Sequence, residues 1–230
     1  MSMSLRSRLS RTLPLTILLM AFVSACAEQA EDSSAPVLPG EQAAGSLPAS
    51  ASGADEAVAI FAGGCFWCME PPFDKLPGVK STTSGYIGGR TPNPSYEQVS
   101  SGGTGHAEAV RIVYDPRTVT YQELLGVFWR NIDPYAVNYQ FCDHGDQYRS
   151  AIFALDAEQL KLAVQSKLEL EDAQHFGKPL ATQVVAASTF YPAEDYHQDY
   201  YVKNPVRYKY YRYSCGRDKR LEQVWGTPAH

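Results

Sequence analysis

The stretch Ala57-Val58-Ala59-Ile60-Phe61-Ala62-Gly63-Gly64-Cys65-Phe66-Trp67-Cys68-Met69-Glu70 sets the plan of the chain. Six apolar residues in a row suit a strand buried on both faces, and the two glycines that follow permit a sharp bend. Cys65 then opens a helix, predicted over 65–76, in which Pro71 and Pro72 are tolerated only near the start. There the Cys65 sulfur faces the unpaired N–H groups of the first helical turn, and the positive end of the helix dipole favours a thiolate. A thiolate beside Phe66 and Trp67 suits attack on a small, partly apolar group.

Downstream, 82–87 reads as a strand closed by Gly88-Gly89. Residues 90–104 form a Gly-, Pro- and Ser-rich loop carrying Tyr96, and 106–114 is a strand ended by Asp115-Pro116. Thr120-Tyr121-Gln122-Glu123 has the capping-box form, and Tyr121, Leu124, Leu125, Phe128 and Ile132 follow at helical spacing. A loop over 133–147 leads to a strand at 150–155. A helix opened by Asp156 and Gln159 comes next, with Leu160, Val164 and Leu168 on one face, and 181–187 is a last strand. The order β-α-β-β-α-β-α-β predicts an α+β fold: a mixed or antiparallel sheet layered with helices around a ferredoxin-like, split βαβ core. From Phe190 the Tyr-, Lys- and Arg-rich tail shows no period and is expected to wrap the body as loop and short helix.

Upstream, residues 1–25 read as an export signal: three arginines, an apolar core from Leu13 to Val23 that is short for a membrane span, then small residues. Val23-Ser24-Ala25-Cys26 resembles the bacterial lipobox, in which the cysteine is lipidated; an ordinary signal cut near Ala25 or Ala27 is the alternative. Residues 26–55 hold almost no bulky apolar side chain and read as a flexible tether, leaving 56–230 as the folded domain. An exported protein of the cell envelope, held on a membrane by Cys26, is the expectation. The 230 residues are 44% hydrophobic and 20% charged, a globular composition. Removing residues 1–25 takes away Arg6, Arg8 and Arg11 and no acid, so the formal charge moves from -5 to -8. No basic stripe remains to meet nucleic acid, and no nucleic-acid partner is expected.

Four places carry candidate chemistry. Cys65-x-x-Cys68 spans one helical turn, a spacing that serves redox work, zinc binding or two buried structural thiols. Glu108 shares a strand face with Val110, Ile112 and Tyr114; a carboxyl desolvated at the end of that face is harder to ionise and can donate a proton near neutrality, whereas a solvent-exposed strand end would leave it ordinary. The run from Cys142 to Ser150 is polar at a strand entrance, as turn chemistry alone would make it, although Cys142 and His144 could join Cys65 and Cys68 around zinc. Otherwise Cys142 reads as a small buried residue. Cys215 lies in a late polar segment from which a mobile thiol could reach another, or remain inert.

Several separated motifs occur together: Gly64-Cys65-Phe66-Trp67, Gly85-Tyr86, Asn93-Pro94-Ser95-Tyr96, Gly105-His106-Ala107-Glu108, Gln147-Tyr148-Arg149-Ser150 and Tyr196-His197-Gln198-Asp199-Tyr200. In this order, over about residues 57–204, the chain resembles peptide methionine sulfoxide reductase of the A type, which reduces the S epimer of methionine sulfoxide. The resemblance implies that Cys65 attacks the sulfoxide sulfur, that Phe66 and Trp67 receive the methyl group, and that Glu108 protonates an oxygen held by Tyr96 and Tyr148. It sets Asp143 in a supporting position. Cys65 would become a sulfenic acid that a second thiol condenses to a disulfide, reduced in turn by a thioredoxin-like dithiol. No cofactor is implied, the substrates are oxidised proteins or free methionine sulfoxide, and a monomer is expected. Two departures stand out: Cys68 replaces a frequent glycine, and no cysteine follows soon after Asn204-Pro205. Cys68 and Cys215 are therefore both candidates to resolve the sulfenic acid, and a relay from Cys65 to Cys68 to Cys215 is favoured. The competing readings are an envelope thiol–disulfide oxidoreductase, which needs no Glu108, and a zinc-stabilised binding domain.

Overall fold

The computed structural model describes residues 55–173 and 177–226; the export signal, Cys26 and all but the last residue of the tether lie outside them. Strand β1 (Ala57–Gly63) runs through the middle of the sheet, antiparallel to β3 (Ala107–Tyr114) on one side and β6 (Ser150–Ala154) on the other. Strand β2 (Val79–Ile87) pairs antiparallel with the far edge of β3. With helix α1 (Phe66–Asp74) after β1 and α3 (Tyr121–Arg130) after β3, these six elements form the expected βαββαβ unit, strand order β6-β1-β3-β2. Strand β7 (Gln183–Ala186) joins β6 in parallel and β8 (Tyr191–Pro192) joins β2 antiparallel, which makes a mixed six-stranded sheet.

The unbroken apolar run of β1 is explained by burial on both faces. Ala59 and Phe61, with Val110, Ile112 and Ile152, meet Phe73 of α1 and Leu124, Leu125 and Phe128 of α3. Val58, Ile60 and Ala62 face the other way, against Ala109, Phe153, Ala187 and Phe190. Thr120 caps α3 as the sequence suggests, its hydroxyl accepting from the Glu123 N–H while the Glu123 carboxylate accepts from the Thr120 N–H.

Several local expectations need correction. Pro71 and Pro72 lie inside α1, past its first turn; they remove two backbone donors, and the helix ends at Asp74 rather than 76. The loop at 90–104 contains a short helix, α2 (Tyr96–Ser100), started by a Ser95–Gln98 capping box. The segment 133–147 folds a small hairpin of β4 (Tyr139–Gln140) and β5 (Asp143–His144), followed by a 3-10 turn at Asp146–Tyr148. Helix α4 (Ala157–Asp172) turns the stripe Leu160, Val164 and Leu168 outward and buries Gln159 and Ala163. That inward face packs Leu162, Ala163 and Leu170 on the core, and the Gln159 amide accepts from the Leu155 N–H and donates to the Val58 carbonyl, tying it to the sheet. The tail carries more structure than a loop with a short helix: α5 (Tyr200–Lys203), α6 (Pro205–Ser214) and α7 (Arg217–Trp225) follow one another. The tail is sewn on by Gln198, whose amide accepts from the Ser84 N–H and donates to the Ser84 and Ala193 carbonyls. Trp225 ends it by donating to the Ile132 carbonyl.

Candidate active site

Strand β1 stops at Gly63, and Gly64 takes φ +82 to turn the chain into α1; a Cβ there would lie 2.5 Å from Cβ of Gln140. Cys65 occupies the N-cap of α1 with φ -51 and ψ 118, and its carbonyl accepts the Cys68 N–H at 3.0 Å. Both thiols are buried and free, and they hydrogen-bond to each other. The next N–H of the helix end, that of Phe66, donates to Oε2 of Glu108 at 3.1 Å. The carboxyl from β3 thus caps the helix that carries the thiol, one residue away from it.

Burial decides how these groups ionise. It drives the Glu108 carboxyl up to about 8, helped by the charges of Asp143 and Cys68 and opposed by the Phe66 N–H. Burial also pushes the Cys65 thiol well above its ordinary range, with the bond to Cys68 and the charges of Cys68, Glu108 and Asp143 adding to it. Cys68 is drawn down to about 7, first by the hydrogen bond from Cys65 and then, against its own burial, by the charges of Arg217 and Arg212. The helix end alone does not make Cys65 the thiolate, as the sequence had suggested. The two sulfurs share one proton: the first leaves the pair near neutrality and the second is held.

Two phenols close on the same point. Tyr96 starts α2, held by its N–H donating to Glu194; burial first, then the charges of Glu108 and Cys65, raise its phenol to about 12. Tyr148, at the end of the 3-10 turn, is raised further by burial, Glu108 and Tyr96. Asp143 accepts from the Tyr211 hydroxyl at 2.5 Å, and burial raises its carboxyl against the pull of Tyr211 and Arg217. Phe66 is packed in the core between Tyr86 and His197. Trp67 is half-buried, stacked on Tyr200 with centroids 3.7 Å apart, edge-on to Tyr211, and donates from Nε1 to Nδ1 of His197 at 3.0 Å. The structure therefore gathers Cys65, Cys68, Phe66, Trp67, Tyr96, Glu108, Asp143 and Tyr148 at one end of the sheet.

The remaining cysteines behave differently from expectation. Cys142 is exposed rather than small and buried, and it is disulfide-bonded to Cys215, 73 residues away. An oxidised Cys142 has no thiolate for a metal, and exposed His144 stacks on Tyr139 across the hairpin, so the zinc set of Cys65, Cys68, Cys142 and His144 is not assembled. Among the described residues the only grouping with ligand spacing is Cys142, Asp143 and Cys215, two of which are this disulfide. Sequence reasoning missed His197, Tyr200, Tyr211 and Arg217. The first two lie in a motif already singled out, whereas Tyr211 and Arg217 carried no local signal.

A family model for peptide methionine sulfoxide reductase matches residues 57–229. The chain belongs to this family. Peptide methionine sulfoxide reductase MsrA of Bacillus licheniformis is 51% identical over 169 residues, which are 74% of this chain and 93% of that protein. MsrA/MsrB of Vibrio cholerae is 52% identical over 169 residues, 74% of this chain but 45% of that longer protein. Reduced Mxr1 from Saccharomyces cerevisiae, a crystal structure, superposes with a TM-score of 0.63 at 34% identity over 67% of this chain and 89% of that one. As a peptide methionine sulfoxide reductase, the chain reduces methionine sulfoxide, and the α+β fold is the one its structural relatives carry.

Proposed function

We propose that this reductase acts on the S epimer of methionine sulfoxide, in proteins or free, through nucleophilic attack by Cys65. The contact between the Phe66 N–H and Glu108 carries the reading, because it sets a largely neutral acid beside the thiol at neutral pH. A sulfoxide sulfur is a weak electrophile until its oxygen is protonated or strongly hydrogen-bonded. The Tyr96 and Tyr148 hydroxyls hold that oxygen and Glu108 gives it a proton, while the Cys68 thiolate, the more acidic of the pair, takes the proton of Cys65 as Cys65 attacks. The Cys65 sulfur takes the oxygen, the S–O bond to methionine breaks, and Cys65 is left as a sulfenic acid. Trp67 and Phe66, braced by Tyr200 and His197, receive the methyl group, and Asp143 supports the polar side of the site through Tyr211.

Cys68 attacks the sulfenic sulfur next, expelling water and forming Cys65–Cys68. The hydrogen bond between the two thiols supports Cys68 as first resolver. Exchange then moves the oxidation outward: Cys215 opens the inner disulfide, Cys142 closes on Cys215, and both inner thiols are restored. The exposure of Cys142 suits attack by an external dithiol of the thioredoxin type. The lipobox-like 23–26 segment supports a cell-envelope location with a lipid anchor on Cys26. An epimer-resolved assay with dithiothreitol as reductant tests the reading. Consumption of the S epimer alone is expected; equal consumption of both, or of neither, overturns it.

A further inference from the structure

Among the described residues Arg217 is the largest fully buried side chain, and its place is unusual. It opens α7, two residues after the disulfide-bonded Cys215, and reaches inward to the turn before Cys65. One Nη2 nitrogen donates to the Gly63 carbonyl at 3.2 Å, to the Asn131 carbonyl at 2.7 Å and to Sδ of Met69 at 3.0 Å. The guanidinium lies over the Phe141 ring, 4.3 Å from its centroid. Its Nε is buried without a hydrogen-bond partner, and among the described residues no carboxylate comes within ion-pair distance of it. Every direct partner is thus neutral, and a guanidinium buried among neutral groups needs an anion nearby. The inner thiol pair supplies one.

We propose that Arg217 is a positioning residue for the nucleophile, locking the Gly63-Gly64 turn that sets Cys65 at the head of α1 and standing as the buried counter-cation of the Cys65/Cys68 pair. The proposal rests on the reading that this pair provides the attacking sulfur. The groups around the pair are Glu108 from β3, Asp143 from β5, Tyr208, Tyr211 and Arg212 from α6, and Arg217 from α7. Arg212 is already committed to Asp218, so Arg217 is the cation of this group free of an acid partner. Its pull on Cys68 exceeds that of Arg212. The Cys142–Cys215 disulfide fixes the start of α7, and with it the entry point of Arg217, onto the hairpin that bears Phe141.

The test uses the full chain with Cys142–Cys215 oxidised. Thiolate absorbance near ultraviolet is titrated for the parent, Arg217→Met and Arg217→Lys, each against a Cys65→Ser/Cys68→Ser background, with circular dichroism to verify folding. A parental midpoint near neutrality is expected, rising by about one pH unit in Arg217→Met and returning in Arg217→Lys. A folded Arg217→Met with the parental midpoint overturns the proposal. If Arg217→Met does not fold, Arg217→Lys decides: an ammonium keeps the charge but loses the planar guanidinium laid over Phe141 that aims Nη2 at the Gly63 turn, so kcat should fall at least about tenfold with the midpoint kept. Parental kcat in that variant overturns the proposal. Because the titration needs no substrate, it stands or falls apart from the assignment of the sulfoxide reaction.

Discussion

Replacing Glu108 with glutamine should make the protein slower and, in alkaline solution, more stable. The substitution keeps a carbonyl oxygen to accept the Phe66 N–H, so the helix cap survives. It removes a proton donor whose folded pKa lies near 8 against an ordinary 4.5. At pH 7 the parent carboxyl is about nine-tenths protonated, and at pH 9 about one-tenth, so its rate should rise as the thiol pair ionises near neutrality, peak between about pH 7 and 8 and fall about tenfold per unit further above. Glu108→Gln should lose a factor of about 10² to 10⁴ at pH 7, and the gap should close as the parent loses its own proton. For stability the sign is opposite. Between pH 4.5 and 8 the folded state binds a proton that the unfolded state releases, so parental stability declines as pH rises through that window and levels off above 8. With about 1.4 kcal/mol per unit over that window, the decline is on the order of 5 kcal/mol. The glutamine variant escapes it and should match the parent near pH 4 but unfold at higher denaturant at pH 9. Stopped-time sulfoxide assays and urea melts at pH 5, 7 and 9 measure both. A parental rate at pH 7 would refute the acid role, and parallel melts at all three values would refute the buried neutral carboxyl.

Two further outcomes follow from the same site. Cys68→Ser should still release one methionine per chain but accumulate a Cys65 sulfenic acid, trapped by dimedone and read by mass; undiminished steady turnover with no adduct would remove Cys68 from the pathway. Glu70, buried with Oε2 unpartnered and raised to about 7 chiefly by burial, should make Glu70→Gln more stable than the parent above pH 7 by up to about 3 kcal/mol and no different near pH 4; thermal melts across that range check it, and an equal shift at both ends would argue against titration of Glu70.

The parts of the fold that the sequence reveals are those whose cause is local. The βαββαβ order follows from apolar runs, turn residues and one capping box, each readable within a dozen residues. The phase of Glu108 is legible for the same reason, since strand period two puts it on the face of Val110 and Ile112, which the structure packs under α1 and α3. Helix α4 shows the limit of that logic. Leu160, Val164 and Leu168 form an apolar stripe, yet the helix turns Leu162, Ala163 and Leu170 inward, the face on which Gln159 also makes two hydrogen bonds. Helix α6 has no buried residue at all, so no 3.6 period was there to find.

The tail was illegible for a deeper reason, and it is the part that finishes the site. Its contributions are single residues acting at long range: Tyr211 on Asp143, Tyr200 under Trp67, Arg217 on Gly63. In α7 the buried positions are Arg217, Leu221 and Val224, a helical stripe disguised by a charge at its first place. A composition argument assigns that arginine to solvent. Only the finished fold explains it, because the thiol pair that gives a buried cation its reason lies 149 and 152 residues earlier in the chain. The helix-dipole argument for Cys65 met the same limit. A helix end offers about 0.3–1 kcal/mol to an anion, whereas burial costs a thiolate more, and the balance is struck by Cys68 and by a guanidinium carried in from the far end of the molecule.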